Sequence, residues 1–150
     1  AVADADVVVL ATPWEATEPL VRSLDLAGKV VLDATNPLSW PDLALVVDTS
    51  AGEHVQEAAP DAHVVKAFST VGANIMADAT FAGDVRPDMF LAGDNAEAKA
   101  TARDLAEASG FEGVDAGPLS RSHALEHLAV LWIHMAMQGG REMALGLLRR

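Results

Sequence analysis

The chain has no cysteine among its 150 residues. That excludes disulfides, thiolate metal sites and a cysteine nucleophile, and it fits a cytoplasmic protein. It also lacks a basic cluster: ten Lys and Arg stand against 22 Asp and Glu, a formal net charge of −12. Nucleic acid and anionic membrane are therefore poor partners, because both need Lys/Arg patches to neutralise phosphate. No basic-then-apolar signal peptide opens the sequence. The most apolar stretch, Leu128 to Met137, contains His134 and is far shorter than the roughly 20 residues a membrane span needs, so it reads as a buried helix. No glycine-rich phosphate loop precedes the first apolar run, and residue 1 is Ala rather than Met.

What is present is enough for one domain with a proper core, since 51% of the residues are hydrophobic. No repeat, low-complexity tract or linker divides the chain, so residues 1–150 read as a single domain. Three stretches share one pattern: a short apolar run, small polar residues, then a helix-like segment. They are Asp6 to Trp14, Lys29 to Pro37 and His63 to Thr70. As parallel strands they would bring their polar tips to one edge of one sheet, the edge where open α/β sheets bind ligands.

Between these runs the sequence predicts a helix from Pro13 to about Leu26, with Thr12 as N-cap and Glu15 completing a capping box. It predicts a proline-broken loop over 35–45 and a short helix opened by Ser50 and Glu53. Further on it predicts a short helix over 72–77 and a fourth strand at Met89 to Ala92. A helix capped by Asp94 and Glu97 follows, with Ala98, Ala102, Leu105 and Ser109 on its inner face. A fifth strand near Glu112 to Ala116 precedes a long helix from Ser120 to Met137. Gly139 and Gly140 break that helix, and Arg141 to Leu148 resume it. Strands alternating with helices predict an α/β fold built on a mostly parallel, Rossmann-like sheet with a long C-terminal helix.

The chemistry-bearing residues admit two readings each. Thr12, Pro13 and Trp14 either border a cofactor or simply start a helix. Thr35, Asn36 and Pro37 either offer an amide at a strand tip or form a turn. Lys66, inside an apolar strand, either reaches an anionic group at the sheet edge or is ion-paired within the fold. His123, Glu126 and His127 spell the inverted zinc-protease pattern, with His134 one heptad beyond His127. On a helix His123 and His127 could share a metal with Glu126 as base, which makes a zinc hydrolase a remote alternative. The α/β context favours no metal and a helix whose histidines sit at a cleft or on the surface.

Taken in order, Ala11-Thr-Pro-Trp-Glu15, Lys29 to Leu38, Val64 to Thr70 and Asp115 to Ser120, with Leu125 and Glu126 beyond, resemble the NADP oxidoreductases that depend on the deazaflavin coenzyme F420. That fold family includes the reductase domains of transmembrane metalloreductases. The resemblance implies hydride transfer between NADP(H) and F420 or a related small-molecule redox acceptor, by a site that holds two rings together and excludes water. It implies NADP as cofactor, F420 as co-substrate and no assigned catalytic side chain. It places Ala11, Thr12, Pro13, Trp14, Asn36 and Pro37 beside the nicotinamide, and Ala67 and Phe68 on the floor of the site. Residues 117–150 would form a helical segment on the acceptor side, with Glu126, His127, Leu128 and Ala129 facing the acceptor. The bulky His127 departs from the family pattern. So does the front of the chain: on the order of 65 residues carrying the glycine-rich pyrophosphate turn are missing relative to the family. The expectation is an N-terminally truncated chain whose first strand has a bare edge, which binds dinucleotide weakly or not at all and forms homo-oligomers. The alternative is a catalytically silent Rossmann-derived fragment acting only in oligomerisation or partner binding.

Overall fold

The computed structural model describes residues 2–148. Five strands, β1 (Val7–Leu10), β2 (Val30–Asp33), β3 (His63–Lys66), β4 (Asp88–Gly93) and β5 (Glu112–Gly117), form one sheet in the order β1-β2-β3-β4-β5. β1, β2 and β3 run parallel and in step, so that Leu10 pairs with Asp33 and Asp33 with Lys66. β4 runs antiparallel to β3, and β5 is again parallel to β4. The sheet is thus mostly parallel. The reversal at β4 arises because residues 67–87 fold as a long connection rather than as a crossover helix.

Pleating divides the core. Val31 and Val64 face one side with Leu10, Val21, Val55 and Leu119. Leu32 and Val65 face the other, against Met89, Leu91 and Phe111. Helices α1 (Trp14–Ser23) and α2 (Ala51–Ala58) cover the first side. α3 (Ala73–Ala77) and α4 (Ala96–Ala108) cover the second. α5 (Ser122–Gly139) follows a single 3-10 turn at Leu119–Arg121. Among the described residues no helix is long and apolar enough to cross a membrane.

Several local expectations are corrected. α1 is capped by Pro13 with no side-chain bond, because Thr12 Oγ1 pairs instead with Thr17 Oγ1 at 2.9 Å. Asn95, not Asp94, caps α4 by accepting from the Ala98 N–H. Asp94 instead accepts from the Leu119 N–H, ahead of α5. Ala98, Ala102 and Ala106 form the buried stripe of α4, whereas Leu105 is 40% exposed. Their small side chains let the helix lie close to the sheet. The Ser50 expectation holds: its hydroxyl accepts from the Glu53 N–H and donates to the Glu53 carboxylate.

The chain beyond α5 does not return to helix. Gly140, at φ 94°, turns it out of the helical path. Residues 141–148 run extended over the start of β4, where the Asp88 N–H donates to the Leu145 carbonyl and the Leu147 N–H to the Asp88 carboxylate. The Trp132 indole N–H donates to the Met143 carbonyl. With these backbone groups satisfied by tertiary partners, a second helix has nothing to gain. Of the helical segment expected over 117–150, the described residues show α5 and the preceding turn, and residues 149–150 lie outside the described residues.

α2 and α5 meet with little space between them. A Cβ added at Gly52 would lie 2.6 Å from Ser122 Oγ and 3.0 Å from Ser122 Cβ. The capping geometry yields a test: Ser50→Ala and Asn95→Ala should each lower stability by about 1 kcal/mol in urea denaturation, while Asp94→Ala leaves the α4 cap intact.

Candidate functional site

Because β1, β2 and β3 are parallel and in register, the segments that follow them leave the sheet on one edge. The ladder runs one residue past each strand: the Ala34 N–H donates to Leu10 O and the Ala67 N–H to Asp33 O. Ala11 to Trp14, Thr35 to Pro37 and Ala67 to Thr70 are thereby neighbouring tips. Ala11 and Pro13 are exposed and Thr12 and Trp14 half-buried, whereas Pro37 and Ala67 are buried.

The second and third tips are joined by Asn36, whose Nδ2 donates to the Ser69 carbonyl at 2.8 Å. Its Oδ1 is buried without a hydrogen-bond partner among the described residues. That oxygen is free to accept one donor, such as an amide N–H or a hydroxyl, from a bound molecule. Beside it Phe68 holds φ at 60°, and its N–H approaches Met89 Sδ at 3.1 Å. A bulky side chain in the left-handed region costs on the order of 1–3 kcal/mol and concentrates at ligand-binding positions.

Beneath the tips lies a charge cluster closed to solvent. Lys66 Nζ sits 2.9 Å from Asp33 Oδ2 and 2.9 Å from Glu126 Oε1, with all three side chains 0% exposed. The ammonium also donates to the Thr35 carbonyl. Asp33 Oδ1 accepts from Thr35 N–H at 2.9 Å and from Thr35 Oγ1 at 2.6 Å. Glu126 Oε1 further accepts from the N–H of Ala51, the first residue of α2, where the helix dipole favours negative charge. Glu126 Oε2 has no partner among the described residues. Burial pushes the Glu126 carboxyl above the usual carboxylate range, and the attraction of Lys66 only partly opposes it.

Of the residues expected to face an acceptor, Glu126 is thus turned inward and Ala129 is 1% exposed, leaving His127 exposed and Leu128 half-buried. The histidine pattern does not assemble around a metal. His123 Nδ1–H donates to the Thr49 carbonyl, His127 Nδ1–H donates to the His123 carbonyl at 2.9 Å, and Glu126 faces Lys66. Among the described residues no three His, Cys, Asp or Glu are grouped to hold an ion.

Asp33 was missed by sequence reasoning. Its signal was available: aligning the second and third runs on the alanine that ends each apolar stretch, Ala34 and Ala67, sets Asp33 opposite Lys66. Surface concavities also lie elsewhere. One of about 570 Å³, lined by Asp78, Thr80, Phe81, Arg86 and Gly110 among others, includes none of the strand-tip residues.

The chain is similar to several known proteins. The family described as NADP oxidoreductase, coenzyme F420-dependent, matches residues 1–37, which hold the first two strand tips. A crystal structure from Arthrobacter sp. FB24, of a protein assigned as an F420-dependent NADP-reductase, superposes with TM-score 0.86 at 28% identity, covering 99% of this chain and 72% of that one. A hypothetical protein of Sinorhizobium meliloti superposes with TM-score 0.76 at 31% identity, covering 98% of this chain and 68% of that one. Metalloreductase STEAP3 of Rattus norvegicus is 31% identical over 127 residues, 84% of this chain. The chain spans a quarter of that relative's length. The fold is Rossmann-like, and the chain belongs to the coenzyme F420-dependent NADP oxidoreductase family.

Two outcomes are expected for the buried cluster. Lys66→Met should destabilise by about 3–5 kcal/mol, since it strands buried carboxylate charge, and adding Asp33→Asn should recover much of that loss. The raised Glu126 carboxyl means the native state keeps a proton that the unfolded chain releases, so its contribution is full at low pH and is lost as pH rises through the folded value. The stability advantage of wild type over Glu126→Gln should therefore shrink as the pH is raised above the ordinary Glu value of about 4.3. Urea denaturation at a series of pH values reads it, and an advantage that grows with pH contradicts the assignment.

Proposed function

We propose that the protein binds NADP(H) across the tips of β1, β2 and β3 and serves hydride transfer to or from a deazaflavin such as F420, or a related small-molecule acceptor. The observation that carries this reading is the convergence of Thr12, Asn36 and Phe68 at one sheet edge in a chain of this family. The residues fit such a ligand: Asn36 Oδ1 is an unpartnered acceptor, while Trp14, Pro37, Ala67 and Phe68 provide flat or apolar surroundings. A bound nicotinamide would supply the hydride, chemistry that needs orientation and dryness more than side-chain acids or bases.

The chain's own residues then divide the work. Ala11, Thr12, Pro13 and Trp14 border the nicotinamide half from β1, and Asn36 fixes its orientation by accepting a hydrogen bond. Phe68 forms the floor between the two rings, backed by the fully buried Ala67. On α5, His127 and Leu128 face the acceptor. Glu126 and Ala129, being buried, shape that wall from behind. This division requires no catalytic proton donor.

Asn36→Ala should weaken NADPH binding about tenfold, the size of one lost ligand hydrogen bond, while changing stability by no more than about 1 kcal/mol. Fluorescence titration of NADPH into both proteins, with urea denaturation alongside, checks it. Unchanged affinity returns Asn36 to a turn-forming role. Absence of saturable binding by the wild type would favour the oligomerising, non-catalytic reading.

A further inference from the structure

Lys66 has no exposed surface, so it cannot touch a ligand, yet all its hydrogen-bonding capacity is used. An ammonium has three N–H donors, and three acceptors surround this one: Asp33 Oδ2, the Thr35 carbonyl and Glu126 Oε1. They come from the end of β2, from the tip beyond it and from α5. Asp33 Oδ1 takes the two remaining polar groups of Thr35. Every polar group of Thr35 is consequently fixed by the cluster, and the next residue is Asn36. The Asn36 side chain has one further restraint, the Ser69 carbonyl, and one unpartnered oxygen.

A buried charge cluster is often no more stabilising than apolar residues of similar volume. Val64 and Val65 beside it show that this strand otherwise holds apolar side chains at full burial. The structure therefore gives the lysine a geometric task. We propose that Lys66 is a positioning residue: by gripping the Thr35 carbonyl and Glu126 together, it aims the Asn36 amide and holds α5 at a fixed setting against the strand tips. The proposal rests on the cofactor-binding reading for its consequence, but not for the positioning itself.

The test uses the intact protein and a charge-reduced background, because Lys66→Met alone strands a buried carboxylate. Asp33→Asn keeps an Oδ1 acceptor for Thr35, and Asp33→Asn/Lys66→Met then removes the grip on the Thr35 carbonyl. The NADPH dissociation constant is measured for both proteins, each with Asn36 and with Asn36→Ala. If Lys66 acts through Asn36, its loss weakens binding by up to about tenfold, the worth of the Asn36 bond, with Asn36 present and less than about twofold with Asn36→Ala. An equal loss in both backgrounds overturns the proposal, since a merely structural lysine would act regardless of Asn36. A ligand-free readout separates this from the cofactor reading: hydrogen exchange of the Asn36 side-chain amide protons, followed by NMR. Lys66→Met in the Asp33→Asn background should accelerate that exchange at least tenfold while the amides of β2 and β3 stay protected. Unchanged exchange overturns the positioning role whether or not NADPH binds. Accelerated exchange without NADPH binding by wild type supports it and sinks the cofactor reading alone.

Discussion

One cation organises the functional end of this sheet. Taking an ammonium and two carboxylates out of water is expensive, and the geometry that offsets the cost leaves little freedom. Lys66 must stand opposite Asp33, which fixes the register of β2 against β3. Glu126 must reach inward, which fixes the turn of α5 that carries it and, through the Ala51 N–H, the start of α2. Two carboxylates share one cation, so the pair is balanced only when one of them holds a proton. The raised Glu126 carboxyl is consistent with that balance. A local electrostatic requirement thereby sets the positions of two strands and two helices.

The candidate site is layered above this constraint. Asn36 ties the second tip to the third, and Phe68 holds a costly backbone conformation where its N–H meets Met89 of β4. Strain persists only where surrounding structure over-determines it. Here the surroundings are the rigid ladder of β3 and the antiparallel β4, whose first residues are strapped down by the chain beyond α5. Rigidity at such an edge lowers the entropy cost of ordering a ligand.

Much of this was legible in the sequence because it depends on local pattern. Continuous β-branched runs located the parallel strands, and Ser50 with Glu53 announced α2 correctly. Features that depend on distant partners were not legible. The direction of β4 is invisible to periodicity, which gives a strand's faces but not its sense. Asp94 and Asn95 are equally good caps in isolation, and only the approach of Leu119 assigns one to each task. Arg141 to Leu148 have ordinary helix formers, but Asp88 and Trp132 supply better partners for their backbone. Glu126 was expected to face the acceptor because the family resemblance places the start of the long helix there. It is buried because the one lysine able to pair with it lies under the strand tips. The position of Lys66 within an apolar run was a visible anomaly, and its matching partner in the preceding strand was the clue to its meaning.

The contact between Gly52 and Ser122 bears on how sequences of this kind can drift. No side chain fits at position 52 while Ser122 keeps its present place. Glu126 lies one helical turn from Ser122 and bonds the residue before Gly52, so separating the helices to make room would also pull on the buried charges. Change at this crossing is therefore ordered in history: a smaller residue at 122 must come before a larger one at 52. Lineages that kept the hydroxyl would have had that route closed to them.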